Sequence, residues 1–239
     1  MSKRVDGRKP DQLRAVGLTP GYVTYPEGSV LIAMGETKVL CNVSVEEGAP
    51  RWKQQQGIPG GWVTGEYALL PRSTHVRTAR ETRGLRGRTQ EIKRLIGRSL
   101  RAAVDLEKLG ERTFIVDCDV IQADGGTRTA AITGGYVALK LALQTLIEAG
   151  QVDPSVFLSP VAAISAGLVN GVPMLDLCYS EDVAAEVDIN VVMNAQGEFI
   201  EVQGTAEGDP FPRSILDAMV DLTEKGIEEL LEAQKSIFE

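Results

Sequence analysis

The chain's most concentrated set of ligand-binding residue types is the nonapeptide at 122–130, which reads Gln-Ala-Asp-Gly-Gly-Thr-Arg-Thr-Ala. It follows a run of strand-like composition and precedes a long apolar segment that is expected to be a helix. Two glycines let the backbone approach a ligand closely, while threonine hydroxyls and the first N–H groups of a helix are hydrogen-bond donors. Arg128 adds a planar cation that suits phosphate. The segment therefore predicts a phosphate-binding site.

The nonapeptide also has a simpler interpretation, because Asp-Gly-Gly followed by threonine is an ordinary strand-to-helix turn with a capping hydroxyl. No Gly-Lys-Ser/Thr follows the glycines, and the Gly-x-Gly-x-x-Gly spacing is absent. P-loop nucleotide hydrolases and Rossmann dehydrogenases are therefore not favoured. The choice between an anion site and a plain turn depends on the residues that lie beside it.

A second group of reactive side chains consists of four carboxylates within eight residues, at Glu181, Asp182, Glu186 and Asp188. An unbroken strand would hold Asp182 and Asp188 about 20 Å apart at roughly 3.3 Å per residue, too far to share a metal ion. Apolar periodicity fails over residues 180–185, and a turn there would bring Asp182 back towards Asp188, as a divalent-ion site requires. The alternative is a solvated acidic turn, which this segment alone favours.

Charge is distributed unevenly along the sequence. The net charge of the whole chain is −8, which argues against a nucleic-acid partner. Residues 72–101 nevertheless contain ten basic residues, nine of them arginine, against two glutamates, so this stretch carries +8 and the remainder −16. Such a stretch predicts a polyanion site or an acidic partner surface. The alternative is a solvated helix face combined with a contact inside an oligomer.

The elements that must position these groups are indicated by apolar periodicity, which divides the chain into two β-then-α halves. Residues 1–150 are expected to contain strands at 28–35, 37–45, 61–68 and 113–121, a mobile loop at 70–87, an amphipathic helix with a basic side at 89–106 and a buried helix at 130–149. Residues 151–239 are expected to contain strands at 161–169, 172–179, 186–193 and 198–204 and a terminal helix at 212–235. We expect one α+β domain over 1–239, with helices sandwiched between two sheets.

Other residue types exclude several kinds of site. The single histidine, His75, argues against a histidine zinc site and against a Ser-His-Asp triad. Cys41, Cys118 and Cys178 are far apart, so reduced core cysteines in a reducing compartment are expected. No apolar stretch has the length and composition of a membrane span or a signal sequence, so we expect a cytoplasmic protein without a membrane partner.

Taken together, a phosphate site, an arginine-rich stretch and carboxylates suited to Mg²⁺ predict phosphoryl transfer on a polyanion. The sequence offers no good histidine base, which fits a nucleophile that needs little activation. Inorganic phosphate, already anionic at neutral pH, would be such a nucleophile.

Seven longer motifs resemble those of the ribonuclease PH family, which are phosphate-dependent 3′ exoribonucleases. In chain order they occupy residues 6–8, 11–14, 66–73, 87–101, 117–129, 185–193 and 201–208. The resemblance covers essentially the whole chain. It implies a ribosomal-protein-S5-domain-2-like fold duplicated within the chain, and a homo-hexamer assembled as a trimer of dimers.

The activity that the resemblance implies is phosphorolytic trimming of the 3′ ends of tRNA precursors, releasing nucleoside diphosphates, with a reverse reaction that adds nucleotides. Matched onto this sequence, it assigns phosphate binding to Arg88, Gly126, Thr127 and Arg128, Mg²⁺ (or Mn²⁺) binding and catalysis to Asp182 and Asp188, and RNA contacts to Arg72, Arg77 and Arg80. The alternative is a catalytically silent RNA-binding ring subunit, which the retention of both aspartates with Arg88 and Arg128 disfavours.

Overall fold

A computed structural model describes residues 4–239, which form two β-sheets. The first sheet has the order β1-β2-β3-β5-β4 and consists of β1 (Val16–Pro20), β2 (Gly28–Met34), β3 (Thr37–Glu47), β4 (Trp62–Leu69) and β5 (Arg112–Gln122). The second has the order β7-β6-β8-β9 and consists of β6 (Val161–Val169), β7 (Val172–Leu175), β8 (Val187–Asn194) and β9 (Phe199–Ala206). The helices are α1 (Arg51–Gln55), α2 (Gly87–Arg101), α3 (Thr127–Glu148), α4 (Tyr179–Ala184) and α5 (Arg213–Lys235).

The central pair of the first sheet is the antiparallel pair β3–β5, in which Cys41 lies opposite Cys118. Residues with even and odd numbers alternate between the core and the outer face, as the period of a strand requires. β4 joins β5 in parallel, and α2 makes the connection between them. This connection brings the start of α2 and the end of β5 to the same part of the molecule, where the nonapeptide begins.

Helix α3 lies between the two sheets, and it packs on β2 and β3 on one side and on β6 on the other. Its side chains are apolar on nearly every side, and the hydrophobic effect therefore favours burial of the whole helix. Gly134 allows close packing here, since a Cβ at this position would lie 2.6 Å from Ile32. α3 is long and apolar enough to cross a membrane by length and composition, but most of that stretch is buried inside the protein. It is a core helix.

The predicted α+β architecture of two sheets with helices between them is confirmed, and so are the predicted hairpin and the buried helix. The buried residues of both sheets and of α2, α3 and α5 form one continuous apolar core. Residues 70–86 contain no helix or strand, as expected for the long loop. All three cysteines are buried and unpaired.

The structure corrects the predicted strand at 172–179, which ends at Leu175. Asp176 has a left-handed backbone conformation (φ 53°), which ends the strand. Residues 179–184 then form α4, in which Glu181 accepts a hydrogen bond from the backbone N–H of Cys178 and caps the helix start. The turn expected over 180–185 is therefore a short helix. β1 and α1 were not predicted, and α2 ends at Arg101 rather than at 106.

Candidate active site

A cleft of about 600 Å³ opens where the two halves of the chain meet. Its wall is formed by the end of β4, the loop after it, the start of α2, the nonapeptide, α4, and the facing strands β8 and β9. Of the nine residues with predicted roles, six line this cleft: Arg88, Gly126, Thr127, Arg128, Asp182 and Asp188. The structure thus brings the predicted phosphate site and the predicted carboxylates to one place, although they are about 60 positions apart in sequence.

The anion-binding part of the cleft is the glycine loop, residues 124–126, with the first turn of α3. Gly125 and Gly126 both have positive φ, at 76° and 64°, and Gly126 is the residue that precedes the helix. A Cβ at Gly125 would lie 2.4 Å from the carbonyl oxygen of Leu177, so this position requires glycine. Within residues 4–239, the N–H groups of 125–128 have no hydrogen-bond partner. A loop of free N–H groups at a helix start is well suited to an anion.

Two arginines flank this loop and differ in how firmly they are held. Arg128 is fixed, because its Nη1 donates to both carboxylate oxygens of Glu91 (3.2 Å each) and to Oε1 of Gln203 (3.0 Å). Arg88 is exposed, and its side chain makes no ion pair or hydrogen bond with any residue in the described part of the chain. The cleft therefore has one pre-oriented guanidinium and one that remains available to a ligand.

The carboxylates of Asp182 and Asp188 face the same cleft, from α4 and β8 respectively. Burial, followed by the charge of Asp182, raises the pKa of Asp188 to about 6. Partial loss of hydration also raises the pKa of Asp182, although this residue stays exposed at the mouth of the cleft. Asn190 donates a long hydrogen bond to Asp188 (3.4 Å). A nearby cation would favour the ionised forms of both carboxyl groups, because burial and repulsion from neighbouring carboxylates are what raise their pKa values.

The pair fits a magnesium or manganese ion by donor chemistry. Both ligands are hard carboxylate oxygens, and Mg²⁺ is usually held by one or two carboxylates together with water and substrate phosphate. No cluster of three or more metal-ligating side chains occurs within residues 4–239, so a dedicated all-protein cage is not present there. The other two carboxylates of the acidic segment are elsewhere: Glu181 is buried against Arg4, and Glu186 accepts a hydrogen bond from the Gly171 N–H.

The three arginines predicted to contact RNA do not line the cleft. Arg72, Arg77 and Arg80 are exposed along the loop that follows β4. The same loop contributes other residues to the cleft wall, among them Thr74 and His75. The structure therefore places these arginines on the surface near the opening rather than at the reacting groups.

Sequence reasoning missed several residues that support the site. Tyr67, which is buried at the end of β4, shares a hydrogen bond with the hydroxyl of Thr127 (2.8 Å between oxygens). Arg14 and Asp176 form a buried ion pair behind the glycine loop, with Nη2 and Oδ1 2.6 Å apart. Arg14 and Asp176 both lie far from the nonapeptide in sequence. The only signal for the pair in the sequence is that neither residue belongs to a local motif that explains it.

The cleft can bind an anion beside two carboxylates that suit a divalent ion, and Arg88 and Arg128 line the same cleft. This arrangement allows a phosphate to be held next to a phosphodiester while the combined negative charge is offset. The helix start, the arginines and the carboxylate pair together suit phosphoryl transfer, which depends mainly on positioning the phosphates and offsetting their charge.

Comparisons with known proteins agree with this chemistry. Residues 12–143 match the model for domain 1 of the 3′ exoribonuclease family, and residues 159–226 match the model for domain 2. The chain is 57% identical over 235 residues to a ribonuclease PH from Corynebacterium efficiens, covering 98% of this chain and 95% of the relative. It is 53% identical over 237 residues to a ribonuclease PH from Dehalococcoides mccartyi, covering 98% of each.

Solved structures share the fold. Rice Rrp46 superposes with a TM-score of 0.78 at 18% identity, covering 99% of this chain and 100% of that one. An Archaeoglobus fulgidus exosome with RNA bound to the active site superposes with the same TM-score at 20% identity, covering 97% and 92%. The solved structures confirm the fold, and the two family matches with the curated relatives confirm the family that the sequence motifs indicated. The chain belongs to the ribonuclease PH family of 3′ exoribonucleases.

Proposed function

We propose that this chain is a phosphate-dependent 3′-to-5′ exoribonuclease that trims the 3′ ends of tRNA precursors and adds nucleotides in the reverse direction. The observation that carries the proposal is the position of the glycine loop, which faces Asp182 and Asp188 across one cleft. A hydrolytic nuclease needs only to activate water, whereas this site has an additional anion-binding loop. That loop supplies a place for the attacking phosphate.

In the proposed reaction, an oxygen of inorganic phosphate attacks the phosphorus of the 3′-terminal phosphodiester. The bond from that phosphorus to the 3′ oxygen of the preceding nucleotide breaks, and this oxygen takes up a proton. The products are a nucleoside diphosphate and RNA shortened by one nucleotide. Gly126, Thr127 and Arg128 would hold the nucleophile through backbone N–H, hydroxyl and guanidinium donors, and Arg88 would supply a second guanidinium.

Asp182 and Asp188 would hold Mg²⁺ or Mn²⁺ through their carboxylate oxygens, and both would also take part in catalysis. The ion, when bound, offsets the negative charge of two phosphate groups brought together. The raised pKa values of both carboxyl groups support this role, because a divalent cation is what favours their ionised forms.

RNA would reach the cleft past the exposed arginines Arg72, Arg77 and Arg80, which we propose contact its phosphates. We propose that the protein works as a homo-hexamer built from three dimers, a ring-like assembly suggested by its likeness to an archaeal exosome core (TM-score 0.78). A cytoplasmic location is part of the proposal, and the three buried, unpaired cysteines support a reducing compartment.

The test is an assay on a tRNA carrying a 3′ extension, with and without inorganic phosphate. We expect shortening only with phosphate, and nucleoside diphosphates as products. Release of monophosphates without phosphate would identify a hydrolytic nuclease instead, and RNA binding without shortening would identify a silent ring subunit.

Variants sharpen the assay. Asp188→Asn and Arg128→Met are expected to lower kcat/KM by about 100-fold or more, because each removes a charge that acts on the reacting phosphates. Lys225→Gln is the matched control, since this lysine forms an exposed ion pair with Asp11 away from the cleft. The control is expected to keep the activity of the unmodified protein.

A further inference from the structure

Behind the glycine loop lies an arginine that does not line the cleft. Arg14 is 6% exposed, and its Nε and Nη2 bind the two carboxylate oxygens of Asp176 at 3.0 and 2.6 Å. Its remaining N–H groups reach the loop itself, where they donate to the carbonyl oxygens of Asp124 and Gly125. The planar guanidinium thus joins a fully buried carboxylate to the back of the loop.

These bonds determine which way the loop's N–H groups point. In a trans peptide the carbonyl oxygen and the following N–H lie on opposite sides. Fixing the carbonyls of Asp124 and Gly125 therefore directs the N–H groups of Gly125 and Gly126 away from Arg14. Thr37 adds to this orientation, because its buried hydroxyl donates to the Gly125 carbonyl (2.6 Å) and accepts from the Asp124 N–H (2.9 Å).

A second arginine of the same N-terminal segment holds the helix that carries Asp182. Arg4 binds both oxygens of Glu181, with Nε to Oε1 at 2.8 Å and Nη2 to Oε2 at 2.6 Å. It also donates to the carbonyl oxygens of Leu175 and Asp176, at 2.7 and 2.9 Å. α4 has six residues, too few to be stable alone, so its orientation depends on such tertiary contacts.

We propose that Arg4 and Arg14, with their partners Glu181 and Asp176, form an N-terminal clamp that positions the two halves of the active site. Arg14 positions the N–H groups that bind phosphate, and Arg4 positions Asp182. The clamp rests on the proposed function for its effect on turnover, but its effect on phosphate binding can be measured without turnover. None of its four side chains lines the cleft, so they act through the loop and the helix.

The first test is Arg14→Lys, which keeps a cation beside Asp176 but cannot reach two carbonyls with a planar fork. Binding of inorganic phosphate to the folded protein is measured by calorimetry, and kcat and KM for phosphate are measured on extended tRNA. We expect phosphate binding to weaken about 10- to 100-fold, the usual effect of losing a group that orients a ligand-binding residue. RNA affinity without phosphate should stay unchanged.

Thr37→Val is a second variant that tests the same loop orientation without touching a buried charge. It should also weaken phosphate binding, and Lys225→Gln should not. Unchanged phosphate affinity in a folded Arg14→Lys protein would overturn the role of Arg14. Unchanged affinity in Thr37→Val would overturn the loop orientation through which the clamp acts, even if the arginine variant does not fold. If the unmodified protein shortens RNA without phosphate, the proposed function is wrong. The calorimetric measurement of phosphate binding would still test the clamp in that case.

The test of Arg4 is Glu181→Gln, which keeps the size of the side chain and weakens its hold on the arginine. Because the glycine loop is untouched, phosphate affinity should remain that of the unmodified protein, while kcat falls about 10-fold or more through displaced Asp182. A loss of phosphate affinity together with kcat would mean general loosening of the fold and would overturn the separate positioning role of Arg4.

Discussion

The carboxyl group of Asp188 illustrates how the fold changes the chemistry of one residue. Its pKa rises from an ordinary 3.8 to about 6 because the side chain is half-buried and faces Asp182. At neutral pH the Asp188 carboxylate is therefore ionised in a cleft that stabilises its negative charge less well than water does. Binding of a cation or of a protonated group would relieve this unfavourable charge. Carboxyl groups with raised pKa values are frequent in catalytic clefts for this reason.

We predict that Asp188→Asn stabilises the metal-free protein at neutral pH. A carboxyl group whose folded pKa lies above its unfolded pKa contributes stability below about pH 4 and loses it as the pH rises through about 6. The variant should therefore gain about 2 kcal/mol in free energy of unfolding at pH 7.5, relative to the unmodified protein, and much less at pH 4. Urea unfolding in the presence of a chelator measures both values.

Added Mg²⁺ provides the control for this prediction. It should raise the stability of the unmodified protein at pH 7.5 and leave Asp188→Asn little changed, because the variant lacks one of the two carboxylates. An equal response of both proteins to Mg²⁺ would contradict the proposed location of the ion.

A second prediction concerns Tyr67, whose hydroxyl lies 2.8 Å from the hydroxyl of Thr127. Burial raises the pKa of this phenol, so it stays protonated at neutral pH. If Thr127 donates its only proton to phosphate, its oxygen must accept from Tyr67. Tyr67→Phe should raise KM for phosphate about fivefold, the effect of about 1 kcal/mol, with little change in kcat.

Tyr136→Phe is the matched control for Tyr67→Phe. Tyr136 is also a buried tyrosine, but it lies on α3 outside the cleft. Its removal should leave KM for phosphate unchanged. Steady-state kinetics at varied phosphate compare the two variants, and equal effects would show that loss of any buried phenol has the same result.

Residues at the site differ in how well a sequence can reveal them. Gly126, Thr127 and Arg128 are adjacent, so their shared chemistry is visible in the chain itself. Arg14 and Asp176 are 162 positions apart, and Tyr67 and Thr127 are 60 apart. No local pattern connects these partners, because only the folding of the two halves against each other brings them together.

At the scale of elements, long periodic segments were predictable and short ones were not. The hairpin β2–β3 and the helix α3 follow from apolar patterns that persist over several turns or pleats. α4 was expected to be a turn, because apolar periodicity fails over these six residues. In the structure Glu181 faces Arg4 rather than solvent, and this contact holds the short helix. The element that carries Asp182 is thus determined by tertiary contacts and not by its own sequence.

The glycine loop gives a prediction at this scale, with a matched control in the β6–β7 turn. Gly125 and Gly171 have similar positive φ values, 76° and 71°, but a Cβ would meet the Leu177 carbonyl only at Gly125. Gly171→Ala should lower the free energy of unfolding by about 1 kcal/mol, whereas Gly125→Ala should lower it by about 3 kcal/mol, since overlap adds to backbone strain. Urea unfolding gives both values.

Phosphate binding separates the two glycine variants further. Gly125→Ala should lose phosphate affinity, because relief of the overlap must move the loop away from α4. Gly171→Ala should bind phosphate normally. Normal binding by Gly125→Ala would show that the loop tolerates displacement and would argue against its role as the phosphate site.

For the whole molecule, the distribution of charge matters more than its total. The chain is acidic overall, yet residues 72–101 carry +8. In the structure this stretch divides in two: Arg98 pairs with Glu201 and Arg101 lies 4.3 Å above the ring of Trp62, whereas Arg72 and Arg77 are exposed on the loop near the cleft. Part of the stretch therefore stabilises the fold, and part remains for an external partner.

The last prediction separates the two partners that this exposed part could have. Replacement of Arg72, Arg77 and Arg80 by alanine should weaken RNA binding across all sequences, and should reduce the slope of log affinity against log salt by about 2, because each lost contact to a single strand removes about 0.7. Phosphate affinity should not change, since these side chains do not line the cleft. If sedimentation shows that the assembly dissociates while the isolated smaller species keep their RNA affinity and salt slope, the three arginines join subunits and the RNA-binding role is wrong.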